Sequence, residues 1–177
     1  MLLKLYKKEE DKTLYWEAWP EGDDVIVHFG ELGQQGETTT LSLPEFEPPD
    51  TAIQKHAEEA RAAGFEEIDQ EELYELIVQY KVESDGGLDD VQLAYQIEEV
   101  LNDCLGWTGL GHCDGSDVGD GTLNVYSYVV DPKLAGKAAL EELKAAELLK
   151  DAVIAYQDHN EEFVVLWPEN YKGVFDY

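Results

Sequence analysis

Short apolar runs broken by charged or proline- and glycine-bearing turns dominate the opening of the chain. Residues 2–6, 13–19 and 25–29 read as three strands, separated by a charged turn at 8–11 and by Pro20-Glu21-Gly22-Asp23. An antiparallel meander is the economical way to join them. Residues 38–43, with Thr38, Thr39 and Thr40 favouring extended backbone, supply a fourth strand before Pro44 and Pro48-Pro49 stop the sheet. Asp50 or Thr51 is then placed to cap a helix running through Gly64, with Ala52, Ile53, His56, Ala57 and Ala60 along one face.

The acidic stretch 66–72 separates this pattern from a second one. Tyr74, Leu76, Val78, Tyr80 and Val82 alternate with Glu75, Ile77, Gln79, Lys81 and Glu83, a period of two that predicts a strand. A helix capped by Asp89 or Asp90 follows, with Ala94, Ile97, Leu101 and Cys104 on one face. Residues 107–112 and 122–130 are expected as strands bracketing a loop rich in Gly and Asp over 111–121. Asp131 caps the next helix with Pro132 at its first position, and Leu134, Ala138, Leu140, Leu143, Ala146 and Leu149 form its apolar set. Residues 153–156 and 163–167 end the pattern as short strands. The order strand, helix, strand, strand, helix, strand predicts a ferredoxin-like split βαβ arrangement with one added edge strand. The chain is therefore expected to be an α+β protein of two modules: residues 1–68, a link at 69–72, and residues 73–177.

The stretch His28-Phe29-Gly30-Glu31-Leu32-Gly33-Gln34-Gln35-Gly36-Glu37 places three glycines three residues apart directly after a strand, a spacing suited to a tight hairpin. It resembles the WGR domain of DNA-dependent poly(ADP-ribose) polymerases and many bacterial proteins. That family carries Trp-Gly-Arg, an aliphatic residue, Gly, two variable residues and a further Gly. Phe29 stands in the Trp place, Gly30, Leu32, Gly33 and Gly36 match, and Glu31 replaces Arg. The helix that follows and its Gly64-Phe65 ending extend the likeness over about the first 70 residues. The resemblance implies four strands with a packed helix, and a nucleic-acid contact made through the Trp and Arg positions. Glu31 puts a carboxylate where the family offers a guanidinium, which reverses the interaction with a phosphate.

Composition changes the picture through charge. Against 12 Lys and Arg stand 40 Asp and Glu, a net −28 spread over both halves. Such a field repels phosphate backbones and anionic lipid and favours basic partners, so nucleic acid is disfavoured. The basic concentration at Lys4, Lys7, Lys8 and Lys12 is too small to reverse the sign. Cys104 and Cys113 are the only cysteines and imply no disulfide framework. Met1-Leu2-Leu3 runs at once into charged residues and no apolar run reaches the length of a membrane span. The expected location is cytoplasmic, with no signal peptide and no membrane association.

Candidate chemistry concentrates in 111–121. Asp114, Asp117 and Asp120 recur every third residue and make calcium the sharpest metal idea, although the spacing fits no EF-hand, and a hydrolase centred there is one alternative reading. His112 and Cys113 with Cys104 or His159 are a second metal set, but adjacent strand residues point to opposite faces. Ser116 lacks the Gly-x-Ser-x-Gly context of a strained nucleophile. No cofactor and no catalytic constellation are implied. Tyr126 and Tyr128 share one strand face with Asn124, while Leu123, Val125 and Val129 on the other face form the better core set. The tyrosines then lie on the open face of the sheet, available to a partner. The expectation is a non-catalytic acidic protein-interaction protein, with Phe29, Glu31, Tyr126 and Tyr128 as binding residues and a basic protein as partner. Its alternatives are an immunity-type inhibitor of a nucleic-acid-binding protein and a WGR-type nucleic-acid sensor.

Overall fold

The computed structural model describes residues 1–44, 46–82 and 87–177; Glu83, the last residue of the alternating run, lies outside them. The described residues form two compact units, one made of Met1–Gln70 and Trp107–Gly109, the other of Glu71–Gly106 and Leu110–Tyr177. Both carry an antiparallel sheet with helices, so the α+β class expected from the pattern is the one observed.

In the first unit, β1 (Leu3–Lys8), β2 (Thr13–Glu21), β3 (Asp24–Glu31) and β4 (Glu37–Ser42) form a four-stranded meander in sequence order. Its register sets Leu5 opposite Trp16 and Ala18 opposite Val27. Leu3, Leu5, Ala18, Val25 and Val27 consequently share one face and pack against Ala52, Ile53, Ala57 and Ala60 of α1 (Pro49–Ala62). The three helix alanines let α1 lie close to the sheet. The expected cap at Asp50 or Thr51 is not used. Pro48 occupies the cap position in extended conformation, without a side-chain cap, and Pro49 opens the helix, where a missing N–H costs nothing. At the other end Gly64 takes φ +93°, with its amide bonded to Arg61 O and that of Phe65 to Ala60 O, a Schellman closure. Glu66 then pairs with Tyr6 beside β1.

In the second unit, β5 (Tyr74–Lys81) is the central strand of a five-stranded sheet. Its neighbours are β6 (Gly111–Gly119), β7 (Thr122–Val129), β8 (Val153–Gln157) and β9 (Phe163–Trp167), in the order β6-β7-β5-β8-β9. A helix, α2 (Leu88–Gly106), connects β5 to β6, and α3 (Pro132–Ala145) connects β7 to β8, so each strand–helix–strand crossover straddles an intervening strand. Leu76, Val78, Leu123, Val125, Val129 and Ile154 are buried, as are Ala94, Ile97, Leu101 and Leu105 of α2. The expected helix therefore forms, but the cap expected at Asp89 or Asp90 is corrected: the helix opens at Leu88, both aspartates lie in its first turn, and Asp90 Oδ2 accepts from the amide of Gly87 at 2.7 Å.

Three further expectations, for residues between 107 and 149, are corrected. Residues 107–110 are turn rather than strand, and the stretch 111–119, expected as a loop, is β6, paired with β7 and bulged between Cys113 and Gly115. The hairpin turn is only Asp120-Gly121, both at positive φ. On α3, of the apolar set expected from spacing only Leu143 is buried; Ala135, Gly136 and Ala139 complete the inner face and Leu134 is 41% exposed. The reason is close approach, since a Cβ on Gly136 would meet the Leu166 side chain of β9. A leucine stripe has no room there.

Asp131 caps α3 as its sequence context requires, its carboxylate accepting from the amides of Lys133 and Leu134 at 3.0 Å each. Asp131→Ala is expected to cost about 0.5–2 kcal/mol, read as a lower urea midpoint at unchanged denaturant slope.

Candidate functional site

The glycine-spaced hairpin joins β3 to β4, and its glycines serve two different needs. Gly33 alone takes positive φ, at +84°. Gly30 and Gly36 do not; they are small because the Tyr15 side chain lies against them. A Cβ on Gly36 would fall on the Tyr15 hydroxyl and the Phe29 carbonyl, and one on Gly30 would lie 3.1 Å from that hydroxyl. Gly109 meets the Tyr15 ring from another direction, where a Cβ would overlap it.

Tyr15 is the end of a polar chain that sequence spacing did not reveal. On the sheet face opposite α1, Lys4 Nζ lies 2.9 Å from Glu17 Oε2, and Glu17 Oε1 lies 2.7 Å from His28 Nδ1. His28 Nε2 lies 3.1 Å from the Tyr15 hydroxyl. The two ring nitrogens thus bridge the carboxylate and the tyrosine hydroxyl. The hydroxyl also lies 3.3 Å from Gln34 O. Glu, His and Tyr in this order resemble a proton relay, but His28 is fully buried, Tyr15 is 2% exposed, and the Trp107 ring stands edge-on to His28 at 5.1 Å. Each of these side chains satisfies a polar group of the next beneath Trp107. The signal available in sequence was Tyr15-x-Glu17 in one strand and His28 in the next, set opposite Glu17 by register.

Phe29 and Glu31 lie on the other face of β3. Phe29 is 38% exposed and faces Trp16 across the strand pair, and Glu31 is exposed with Lys12 Nζ 3.7 Å away. The N-terminal lysines are neutralised similarly, Lys4 by Glu17 and Lys7 by Glu9 at 3.3 Å.

The metal candidates of β6 do not converge. Asp117 turns to the face of Tyr126, Asp114 sits in the bulge and Asp120 in the turn. Among the described residues no group of three His, Cys, Asp or Glu is arranged to hold a metal ion. His112 lies beside the Tyr128 ring and Cys113 opposite Ser127, and His159 stacks on Tyr74 at 4.3 Å beside a cleft of about 460 Å³ that Lys133 and Asp158 also line. Burial pushes the Cys104 thiol up to about 12 and raises that of Cys113, the opposite of what a nucleophilic thiolate needs. Ser116 donates to Glu98.

The second unit's helix-free sheet face is where Tyr126 and Tyr128 stand. Register places Ile77 beside Tyr126, Glu75 beside Tyr128, and Ala155 on the far side of Ile77. The Tyr126 hydroxyl donates to Asp117 Oδ2 at 2.8 Å. Burial first, then Asp117, raise its pKa. Both tyrosines are half-buried rather than open: the segment 168–177, without regular secondary structure, lies against Tyr126 through Tyr177, and Tyr128 stands beside the His112 ring. Phe175, 5% exposed, packs with Ile77 and Ala155, and its ring lies 5.2 Å from Phe163. The Tyr177 ring lies 5.5 Å from Tyr126 and 5.4 Å from Phe163, and its hydroxyl donates to Glu75 Oε2 at 2.8 Å. Between them, Gln79 Nε2 donates to Asp176 O at 2.9 Å and to Asn124 Oδ1 at 2.8 Å, and Asn124 Nδ2 donates to Asp117 Oδ1 at 2.9 Å.

Fold and faces together define an α+β protein of two antiparallel-sheet units, with carboxylates set among the aromatic rings of one sheet. Comparison of the chain with protein-family models, curated proteins and solved structures gives no match. Among the described residues no helix is long and apolar enough to cross a membrane.

Gly36→Ala is expected to destabilise the first unit by about 1–3 kcal/mol, because backbone atoms of Phe29 must move. Thermal unfolding followed by near-ultraviolet circular dichroism reads this through the Tyr15 and Trp107 environment. A second expectation concerns alkaline pH. Burial, reinforced by Glu17 at Tyr15, pushes the hydroxyls of Tyr15 and Tyr80 from 10.0 up to about 12. The folded state thus holds protons that the unfolded chain has released, so this contribution is intact below about pH 10 and is lost as pH rises towards about 12. Urea midpoints should fall across that window, and Tyr80→Phe should flatten the fall.

Proposed function

We propose that the chain is a non-catalytic interaction protein that engages a protein partner with a basic surface through the helix-free face of its five-stranded sheet. The observation that carries this reading is the make-up of that face, where Tyr126 and Tyr128 stand beside Glu75 and Asp117. Tyrosine rings supply contact area at low cost in rotamer entropy, and carboxylates among them suit lysine or arginine. The net −28 adds long-range steering towards a cationic surface. An immunity-type inhibitor of a nucleic-acid-binding protein is the narrower form of this reading, and the cytoplasm is the compartment it assumes. The first unit is then a WGR-like fold in which Glu31 replaces the phosphate-contacting Arg. A WGR-type nucleic-acid sensor is the second reading, favoured by the exposed ring of Phe29.

Titration with aromatic, lysine- and arginine-rich peptides and, in parallel, with blunt and nicked duplex DNA separates the two. The expected result is peptide binding that weakens as salt rises and falls several-fold in Glu75→Gln and in Asp117→Asn. Peptide binding that is insensitive to salt and to both substitutions overturns the reading. Submicromolar DNA binding weakened by Phe29→Ala establishes the sensor instead.

A further inference from the structure

The segment 168–177 covers the face just described, and the way it is held says what the face accepts. Its contacts follow a period of two. Phe175 enters a slot bounded by Ile77, Ala155 and Phe163, and Tyr177 lies over Tyr126 and Phe163. The intervening Asp176 is exposed, and its carbonyl is read by Gln79. Gln79 is 6% exposed and both hydrogens of its amide are used, one on Asn124 and one on that carbonyl. A buried side chain fixed by Asn124 and Asp117 so that it meets a main-chain carbonyl recognises an extended backbone whatever its side chains are.

The hold is discontinuous, because Tyr171 packs on the same apolar cluster as Phe175 and the residues between them do not. Lys172, Gly173 and Val174 are exposed, Val174 at 87%, and the segment adds no strand to either sheet edge. Lifting it breaks no ladder hydrogen bond. Its charge is poorly matched to its seat, because Glu169 and Asp176 outnumber Lys172 on a face that carries Glu75 and Asp117.

We propose that residues 168–177 are a displaceable strap occupying in cis a peptide-docking groove, whose ligand in trans is an extended segment with aromatic residues two positions apart and a lysine or arginine between them. This deepens the reading of the face as a basic-partner site and rests on it. The strap covers Ile77, Ala155 and Phe163 while no partner is bound, when they would otherwise form an exposed apolar patch. It also lowers the apparent affinity of any competitor by the fraction of molecules in which the groove is open. A partner with a cation between the two rings keeps the aromatic and carbonyl contacts and replaces a repelled charge with an attracted one.

The test uses the full chain and three peptides: Gly-Val-Phe-Lys-Tyr, the strap's own Gly-Val-Phe-Asp-Tyr, and Gly-Val-Ala-Lys-Ala as control. The lysine peptide is expected to bind Tyr177→Ala about ten-fold or more tightly than it binds the unaltered chain. Tyr177 is 53% exposed, so this change loosens the strap without opening the core; Phe175→Ala serves as a second variant. The lysine peptide should exceed the aspartate peptide several-fold at low salt, with the gap closing as salt rises, and the control should not bind. On the unaltered chain, saturating lysine peptide should move the Phe175 ring proton resonances towards random-coil positions, since that ring is 5% exposed in the seated strap. Equal affinity for the unaltered chain and Tyr177→Ala, or Phe175 ring resonances unchanged with peptide bound, overturns the strap and leaves the basic-partner reading standing. Absence of binding to folded Tyr177→Ala and folded Phe175→Ala overturns both.

Discussion

A sheet has two faces, and in each unit of this protein helices cover only one. Backbone and side chains on the second face must be covered by something else or left to water, and both units solve this with an irregular segment. In the first, Trp107–Gly109 brings the Trp107 ring over His28 and a glycine against the Tyr15 ring. In the second, 168–177 brings Phe175 and Tyr177 onto the strands of β5, β7 and β9. Aromatic residues suit the task because one ring removes a large apolar area from water at the entropic cost of two torsions.

What lies beneath the two covers differs, and so does what each can do. Under Trp107 the first unit hides a polar chain in which Glu17, His28 and Tyr15 each depend on the next for a partner. Removing one member leaves a buried group unsatisfied, a penalty of about 1–3 kcal/mol, so this cover belongs to the permanent fold. Under 168–177 the contacts are mostly apolar and aromatic, with a single main-chain carbonyl bonded to Gln79. Such contacts can be exchanged for equivalent ones from another chain. Displacing a cover of that kind would strand no buried charge.

The charge of the chain fits this division of labour. A carboxylate stands inside the first unit only with Lys4 and His28 around it, while the acids of the second unit's open face meet tyrosine hydroxyls and solvent. Those on the sheet face are held at defined positions by hydrogen bonds, which gives them direction as well as sign. Acids scattered over a surface confer solubility, whereas acids fixed among aromatic rings confer selectivity for cations.

Local sequence by itself determined the strands of the first unit, β5, β7 and the start of α3, because these depend on interactions a few residues long. The period of two that begins at Tyr74 is β5, Asp131-Pro132 opens α3, and Gly64 closes α1. Parity within β7 also followed locally, since Leu123, Val125 and Val129 are the better core set than Tyr126 and Tyr128. Tertiary structure decided the rest. Gly30 and Gly36 looked like turn residues, yet they are glycines because Tyr15, remote in sequence, fills the space a Cβ would take. The stretch 111–119 looked like a loop, yet it is a strand because β7 offers it a full ladder of partners that its own glycines and aspartates do not encode. Glu17 meets His28, and Phe175 meets Ile77, only after registers and crossovers have formed. Contacts between residues distant along the chain depend on geometry that no short window of sequence contains, and both covered faces are built from such contacts.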